Sequence, residues 1–149
     1  MNEVWNLDPI YKGFDDPAFE ADMSALRKAV EVCKKEGVEF LLAVGGGSTL
    51  DGTKLISAAA VIESDAWELV RNPKLYGGTL PFASVMTLPA TGSEMNRGAV
   101  ISNLATGEKY SFYNTYPVFS ILDPEATYSL PKFQVACGLA DTFVHVMEQ

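Results

Sequence analysis

The stretch Leu41–Lys54, LLAVGGGSTLDGTK, decides the fold. An apolar run stops at three consecutive glycines, Gly45, Gly46 and Gly47, and a helix-compatible segment follows at once. Glycine loses more backbone entropy on folding than any other residue, so three together are costly unless something requires bare backbone. The usual requirement is close approach of a phosphate to main-chain N–H groups at a helix N-terminus, where the helix dipole also favours negative charge. The plainer alternative is a tight strand-to-helix turn that holds no ligand. Two familiar phosphate loops do not fit. A Walker A loop ends in Gly-Lys-Ser/Thr, whereas Ser48-Thr49-Leu50 follows these glycines. A GxGxxG dinucleotide pattern begun at Gly45 meets Leu50 where its third glycine belongs.

Upstream of this turn, Phe19, Met23, Leu26, Val30 and Cys33 recur at steps of three and four, which is one face of a helix. Pro17 suits its first position, Asp15 or Asp16 its cap, and Gly37 its end. Val38–Val44 is almost wholly apolar, as expected of a central parallel strand covered on both faces. Downstream, a helix is expected through about Ile62. Lys54 on it reads equally as a solvated surface cation and as a site residue. Ser64 or Asp65 can cap a short helix over Ala66–Arg71, and Phe82–Leu88 reads as a second buried strand, running into TLPATGSEMN. Gly98–Ser102 and Tyr110–Tyr113 form a hairpin pattern through Thr106-Gly107. Val118–Leu122 is a further strand, and Pro131 opens a helix running to Gln149. This order predicts an α/β sheet with crossover connections. Ligands of such sheets bind beyond the carboxyl ends of the strands. There Gly45–Ser48, Pro89–Asn96 and Asp123–Ser129 are expected to converge.

The 149 residues suit one domain, or one domain and a piece of another. A net charge of −8 argues against a nucleic-acid partner and against an anionic membrane surface. No apolar run is long enough to span a bilayer and no signal-peptide pattern opens the sequence, so a cytoplasmic setting is expected. Cys33 and Cys137 lie far apart in helix-like segments and read as small core residues. A last constellation lies in GLADTFVHVMEQ. Asp141 and His145 stand at i and i+4, so they share one helix face, and a carboxylate and an imidazole so placed can both ligate a divalent cation. An ordinary surface pair has the same spacing. Two ligands do not complete a catalytic centre, which needs about three from protein, and the sequence holds no other histidine.

AVGGGSTLDGTK, TLPATGSEMN and LPKFQVACGLADTFVHVMEQ, in that order and spacing, closely resemble the iron-containing alcohol dehydrogenases, especially their butanol dehydrogenase and NADPH-dependent aldehyde reductase branch. The resemblance runs from about Asp15 to Gln149. It implies a Rossmann-like α/β domain of the dehydroquinate synthase type over residues 1–130, and the first helix of an all-helical domain over 131–149. It implies hydride transfer between NAD or NADP and a small primary alcohol or aldehyde, with iron or zinc as Lewis acid, in a homodimer. Carried over by position, Gly45, Gly46, Gly47 and Ser48 hold the cofactor pyrophosphate. Asp51 faces the nicotinamide ribose, Thr87 and Thr91 line the adenine and ribose site, and Lys109 reaches the ribose or a phosphate. Asp141 and His145 match the first two of the family's four metal ligands, and the other two, both histidines, are absent here. The family's opening βα unit is absent as well, so the chain resembles an internal portion of such an enzyme, with a sheet edge and part of an apolar face expected to lie open. Glycerol dehydrogenases and dehydroquinate synthases share the implied fold, and a non-catalytic nucleotide-binding module is the reading from another class. Ser93 and Asn96 stand as further cofactor contacts. A branched residue at Gly46 is expected to obstruct the phosphate and to resist a positive φ.

Overall fold

In the computed structural model, residues 17–103 and 105–148 are described, with side chains from Met23 onward. Helix α1 spans Pro17–Glu36. Its proposed caps, Asp15 and Asp16, lie outside the described residues. Gly37 adopts φ +63°, and the Val38 amide donates back to the Cys33 carbonyl at 3.0 Å. That closure satisfies an end carbonyl of the helix and needs a residue free to enter the left-handed region. Strand β1 then covers Leu41–Gly46, and helix α2 covers Gly47–Ala59. The strand therefore begins later than the apolar run and continues into the glycines. The helix stops short of Ile62. Helix α3, Ala66–Arg71, is capped by Asp65, whose carboxylate accepts from the Trp67 amide at 2.9 Å. Strand β2, Phe82–Leu88, matches its expected bounds.

Strands β3, Gly98–Asn103, and β4, Glu108–Tyr113, pair antiparallel as the expected hairpin. Strand β5 is only Ser120–Ile121, and helix α4 spans Lys132–Met147. The parallel sheet has the order β1-β2-β5, and the hairpin is a separate two-stranded sheet. The chain is thus α/β with a parallel sheet, helices and a hairpin.

Helix α2 sits at the centre of the packing. Leu50 joins Ala43, Phe82 and Met86 against the parallel sheet. Leu55, Ala58 and Ala59 pack on the other side with Met23 and Val30 of α1, Trp67 and Leu69 of α3, and Ile101 and Phe112 of the hairpin. Cys33 is buried, as expected of a small core residue, and Cys137 half-buried; both are free thiols.

The strand expected to be covered on both faces is not so covered. Ala43 points at α2 and is buried, whereas Leu42 and Val44 are 55% and 59% exposed. Side chains alternate along a strand, and among the described residues only the α2 side has an element against it. Val44, Val85 and Ile121 are in register across the three strands, so the open side is a continuous apolar surface. No helix among the described residues is long and apolar enough to cross a membrane.

Candidate functional site

The turn from β1 into α2 is built to leave its helix end bare. The N-cap is Gly46, in extended conformation with no side-chain cap. Asp65, Asn72 and Asp123 each supply a capping carboxylate or amide oxygen at three other helical starts, while α4 behind Pro131 and the short turn behind Gly92 also lack a side-chain cap. The first N–H groups of a helix have no partner within it. With no side chain over them, those of α2 are free to meet an anion. The exposed Ser48 hydroxyl lies at the same end.

The glycines answer a steric need rather than a positive φ, which none of the three adopts. That part of the sequence expectation is corrected. A Cβ on Gly45 would lie 2.4 Å from Thr49 Oγ1 and 2.8 Å from Thr49 Cβ, so the helix could not fold back on the strand. A Cβ on Gly47 would lie 3.0 Å from Thr91 Oγ1. At Gly46 it would meet only Leu88 Cβ, at 3.8 Å, so this glycine faces open space. Gly45 and Gly47 thus hold the turn tight against its neighbours, and Gly46 is the one whose bareness serves nothing internal.

The two threonines stand beside this turn. The β1–β2 register shifts between Gly45 and Gly46, with Met86 opposite Gly45 and Leu88 opposite Gly46. Thr87 is the extra residue of that bulge. Bulges of this kind re-aim side chains and recur next to active sites. Thr91 lies on the following loop and, with Asp51, Tyr113 and His145, lines a cavity of about 590 Å³. That cavity opens between the loop, the hairpin and α4. The structure therefore brings together Gly47, Asp51, Thr91 and the histidine of α4.

Lys109 stands apart. It is exposed on β4, paired with Ser102. Alternation puts it on the same hairpin face as Val100, Ser111 and Tyr113, which line the cavity, but farther along the strand and outside the lining.

The sequence reasoning missed the role of Lys54. It is fully buried, so the reading as a solvated surface cation is wrong. Its ammonium donates to the Ser93 carbonyl and Ser93 Oγ, both at 2.8 Å, to Asn96 Oδ1 at 3.2 Å and to the Gly98 carbonyl at 2.5 Å. Ser93 Oγ in turn donates to Asp51 Oδ1 at 2.7 Å, and Asp51 Oδ2 accepts from the Val100 amide at 3.0 Å. Ser93 and Asn96, expected as cofactor contacts, are thus partners of the lysine. Burial pushes the Lys54 ammonium down to about 8, against the opposing pull of Asp51 and Glu94. A signal was present: from Leu50 to Ala60 the only charged residues are Asp51 and Lys54, and Lys54 lies one turn from both Leu50 and Ala58. That places it in the apolar stripe.

Asp141 and His145 do share a face of α4, with Oδ1 and Nε2 3.7 Å apart. A carboxylate oxygen and an imidazole nitrogen are the donor types that divalent zinc or iron takes. Both side chains are nearly half exposed, and His145 Nδ1 lies 3.7 Å from Glu148 as well. Among the described residues, no group of three or more His, Cys, Asp or Glu side chains could hold a metal. The pair alone therefore does not make a metal centre among the described residues.

The chain is thus an α/β protein whose first parallel strand turns through bare glycines into a central helix, with Asp51, Thr91 and His145 lining one cavity beyond the strand ends. Residues 6–124 match the family model for iron-containing alcohol dehydrogenase, and the chain belongs to that family. It is 49% identical over 139 residues to the NADPH-dependent aldehyde reductase YqhD of Escherichia coli K12, covering 90% of this chain and 35% of that protein. It is 47% identical over 129 residues to a probable NADH-dependent butanol dehydrogenase of Bacillus subtilis 168, covering 85% and 33%. The crystal structure of the NADH-dependent butanol dehydrogenase A of Thermotoga maritima superposes with a TM-score of 0.79 at 43% identity, over 85% of this chain and 32% of that one. The chain spans about a third of the length of these relatives.

Proposed function

We propose that this chain is the nucleotide-binding part of a metal-dependent alcohol dehydrogenase or aldehyde reductase acting on small primary alcohols and aldehydes with NAD or NADP. The observation that carries the reading is the uncapped start of α2 at Gly46, standing beside Thr91, Asp51 and His145 around one cavity. When bound, the dinucleotide supplies or takes the hydride and the divalent cation, iron or zinc, polarises the substrate oxygen. The protein's own part is binding and orientation. Amides of Gly47 and Ser48 receive the pyrophosphate, and the helix dipole of α2 supports its charge. Thr87 and Thr91 border the adenine and ribose. Asp51 accepts from ribose hydroxyls, and Lys109 reaches the ribose or a phosphate. Asp141 and His145 hold two positions of the cation, and donors outside this described pair complete it. In this reading residues 1–130 belong to the cofactor domain, and 131–149 open the helical one. A cytoplasmic homodimer is the setting that the family suggests.

The test is a titration with NADH and NADPH followed by cofactor fluorescence, using the wild-type chain and Gly46→Val. A Cβ at Gly46 would meet only Leu88 Cβ, at 3.8 Å, so the variant is expected to fold, which its circular dichroism checks. It should lose most of its dinucleotide affinity, because the added side chain occupies the approach to the amides. Equal affinity in the folded variant would defeat the reading. Reduction of butanal by the chain, alone and within a longer protein bearing the two further histidines, tests the metal half. Activity is expected only in the second.

A further inference from the structure

Lys54 has more acceptors than it has protons. An ammonium carries three donors and no acceptor, yet four oxygens lie within 3.2 Å of its nitrogen. Three of them belong to the turn over residues 93–96, and the fourth is the carbonyl of Gly98 that follows it. The turn also has bonds apart from the lysine: the Met95 amide donates to the Gly92 carbonyl at 3.0 Å, Ser120 Oγ to the Glu94 carbonyl at 3.1 Å, and the Asn114 amide to the Arg97 carbonyl at 3.0 Å. Asn96 Nδ2 donates to the Gly92 carbonyl at 3.0 Å, and Asn96 Oδ1 accepts from the Gly98 amide at 2.8 Å while also serving the lysine. The lysine thus takes the place an internal cation would occupy, with the turn folded around it.

The bond onward to Asp51 has a fixed direction. Lys54 can only donate and the Asp51 carboxylate can only accept, so the Ser93 hydroxyl between them must receive from the first and give to the second. Hydrogen bonds to ionised groups are the strong ones, and a chain of them polarises each member. The lysine backbone is anchored too, its carbonyl accepting from Asn114 Nδ2 at 2.8 Å. One buried residue therefore ties α2, the turn carrying Thr91, the start of β3 and the end of β4.

We propose that Lys54 is a positioning residue for the dinucleotide site, its ammonium organising the 92–98 turn and, through Ser93, fixing the Asp51 carboxylate and Thr91 beside the glycine turn. The site it serves rests on the function proposed above. The charged groups facing the ammonium are Asp51 from α2 and Glu94 from the turn, while β3 presents the Gly98 carbonyl.

The experiment pairs amide hydrogen exchange of the ligand-free chain with NADPH titration, for wild type, Lys54→Met and Ser93→Ala. Methionine keeps the length of the stem and removes the donors. Exchange over 92–100 should accelerate at least tenfold in Lys54→Met, with α1 and α3 unchanged, and the dissociation constant should rise at least tenfold. Ser93→Ala keeps the lysine bonds to both carbonyls but leaves Asp51 with only its bond from the Val100 amide, so affinity should fall roughly threefold to tenfold with slow exchange retained in the turn. Wild-type affinity should also weaken as pH rises through about 8, where the ammonium loses a donor, and Lys54→Met should be flat there. Unchanged exchange in the turn, or loosening shared equally by α1 and α3, would overturn the proposal. If Lys54→Met does not fold, an unaltered affinity in Ser93→Ala overturns it. Wild type failing to bind any dinucleotide would instead overturn the functional reading, and the exchange arm would still decide the role of Lys54.

Discussion

Two helices in this chain each carry an acid and a base one turn apart, and the two pairs meet opposite fates. Asp51 and Lys54 on α2 are locked into a network of bonds at 2.5–3.2 Å. Asp141 and His145 on α4 stand 3.7 Å apart, nearly half exposed, beyond hydrogen-bonding distance. Helix spacing is nearly the same in both. What differs is cover. Helix α2 is enclosed by the sheet, the hairpin, α1 and α3, whereas Gly138 is the only buried residue on α4. Burying a charge is tolerable only when it is paired and bonded, so the enclosed helix had to supply partners for Lys54. The open helix imposes no such demand and leaves its pair nearly half exposed. The pair on α2 is therefore satisfied within the protein, and the pair on α4 stands on an uncovered surface.

The contrast breaks most easily in the packing. Phe112, on the hairpin over α2, is 2% exposed, and Phe143 on α4 is 66% exposed. Phe112→Ala should cost about 3–5 kcal/mol by urea denaturation, and Phe143→Ala less than about 0.5 kcal/mol. Similar losses from the two would mean that α4 is as well covered as α2. A finer test lies within the glycine turn. Gly45→Ala drives a Cβ into Thr49 and should destabilise by about 1–3 kcal/mol, whereas Gly46→Ala, with room at 3.8 Å, should be close to neutral. Equal effects would show that the bareness of Gly46 is structural after all.

The smallest effect belongs to α3, at the edge of the enclosed half. Asp65 caps that helix and pairs with Arg27 Nε at 2.8 Å. Asp65→Ala should cost about 1 kcal/mol at pH 7. The Arg27 side chain above all, and then the Trp67 amide, hold the Asp65 carboxyl below its usual range. A carboxyl depressed in the native state stabilises fully above its unfolded value, near 4, and loses that contribution as pH falls through the lower native value. The deficit of the variant should therefore shrink in acid. Denaturation at pH 7, 4 and 3 measures it, and a deficit independent of pH would exclude the ion pair as its source.

Much of this was legible in the sequence because local pattern and tertiary role agreed. The apolar run and the glycines placed the turn from β1 into α2, and the patterns of β2 and the hairpin gave those strands, although β1 runs on into the glycines and α2 ends before Ile62. The short pairing of β5 was not legible. Val118–Leu122 is apolar but for Ser120, yet the ladder with β2 covers only Ser120 and Ile121, preceded by single bonds from the Val118 amide to the Phe82 carbonyl at 2.7 Å and from the Ser84 amide to the Phe119 carbonyl at 3.2 Å. Lys54 shows a different limit. Its place in the stripe was visible, but its four acceptors come from residues 93–98, brought to it by β2, and no local spacing encodes that contact. The positive φ expected at the glycines failed because glycine serves two needs, unusual backbone and close approach. Sequence alone does not say which applies, and here Thr49 and Thr91 show that it is approach.

The most direct test of the central claim is a parallel calorimetric titration of the chain with NADPH and with zinc. The account predicts saturable one-to-one dinucleotide binding, and zinc that binds weakly and is removed by dialysis, because two donors leave most of its coordination to water. Stoichiometric zinc retained on the chain, with no dinucleotide bound, would contradict it.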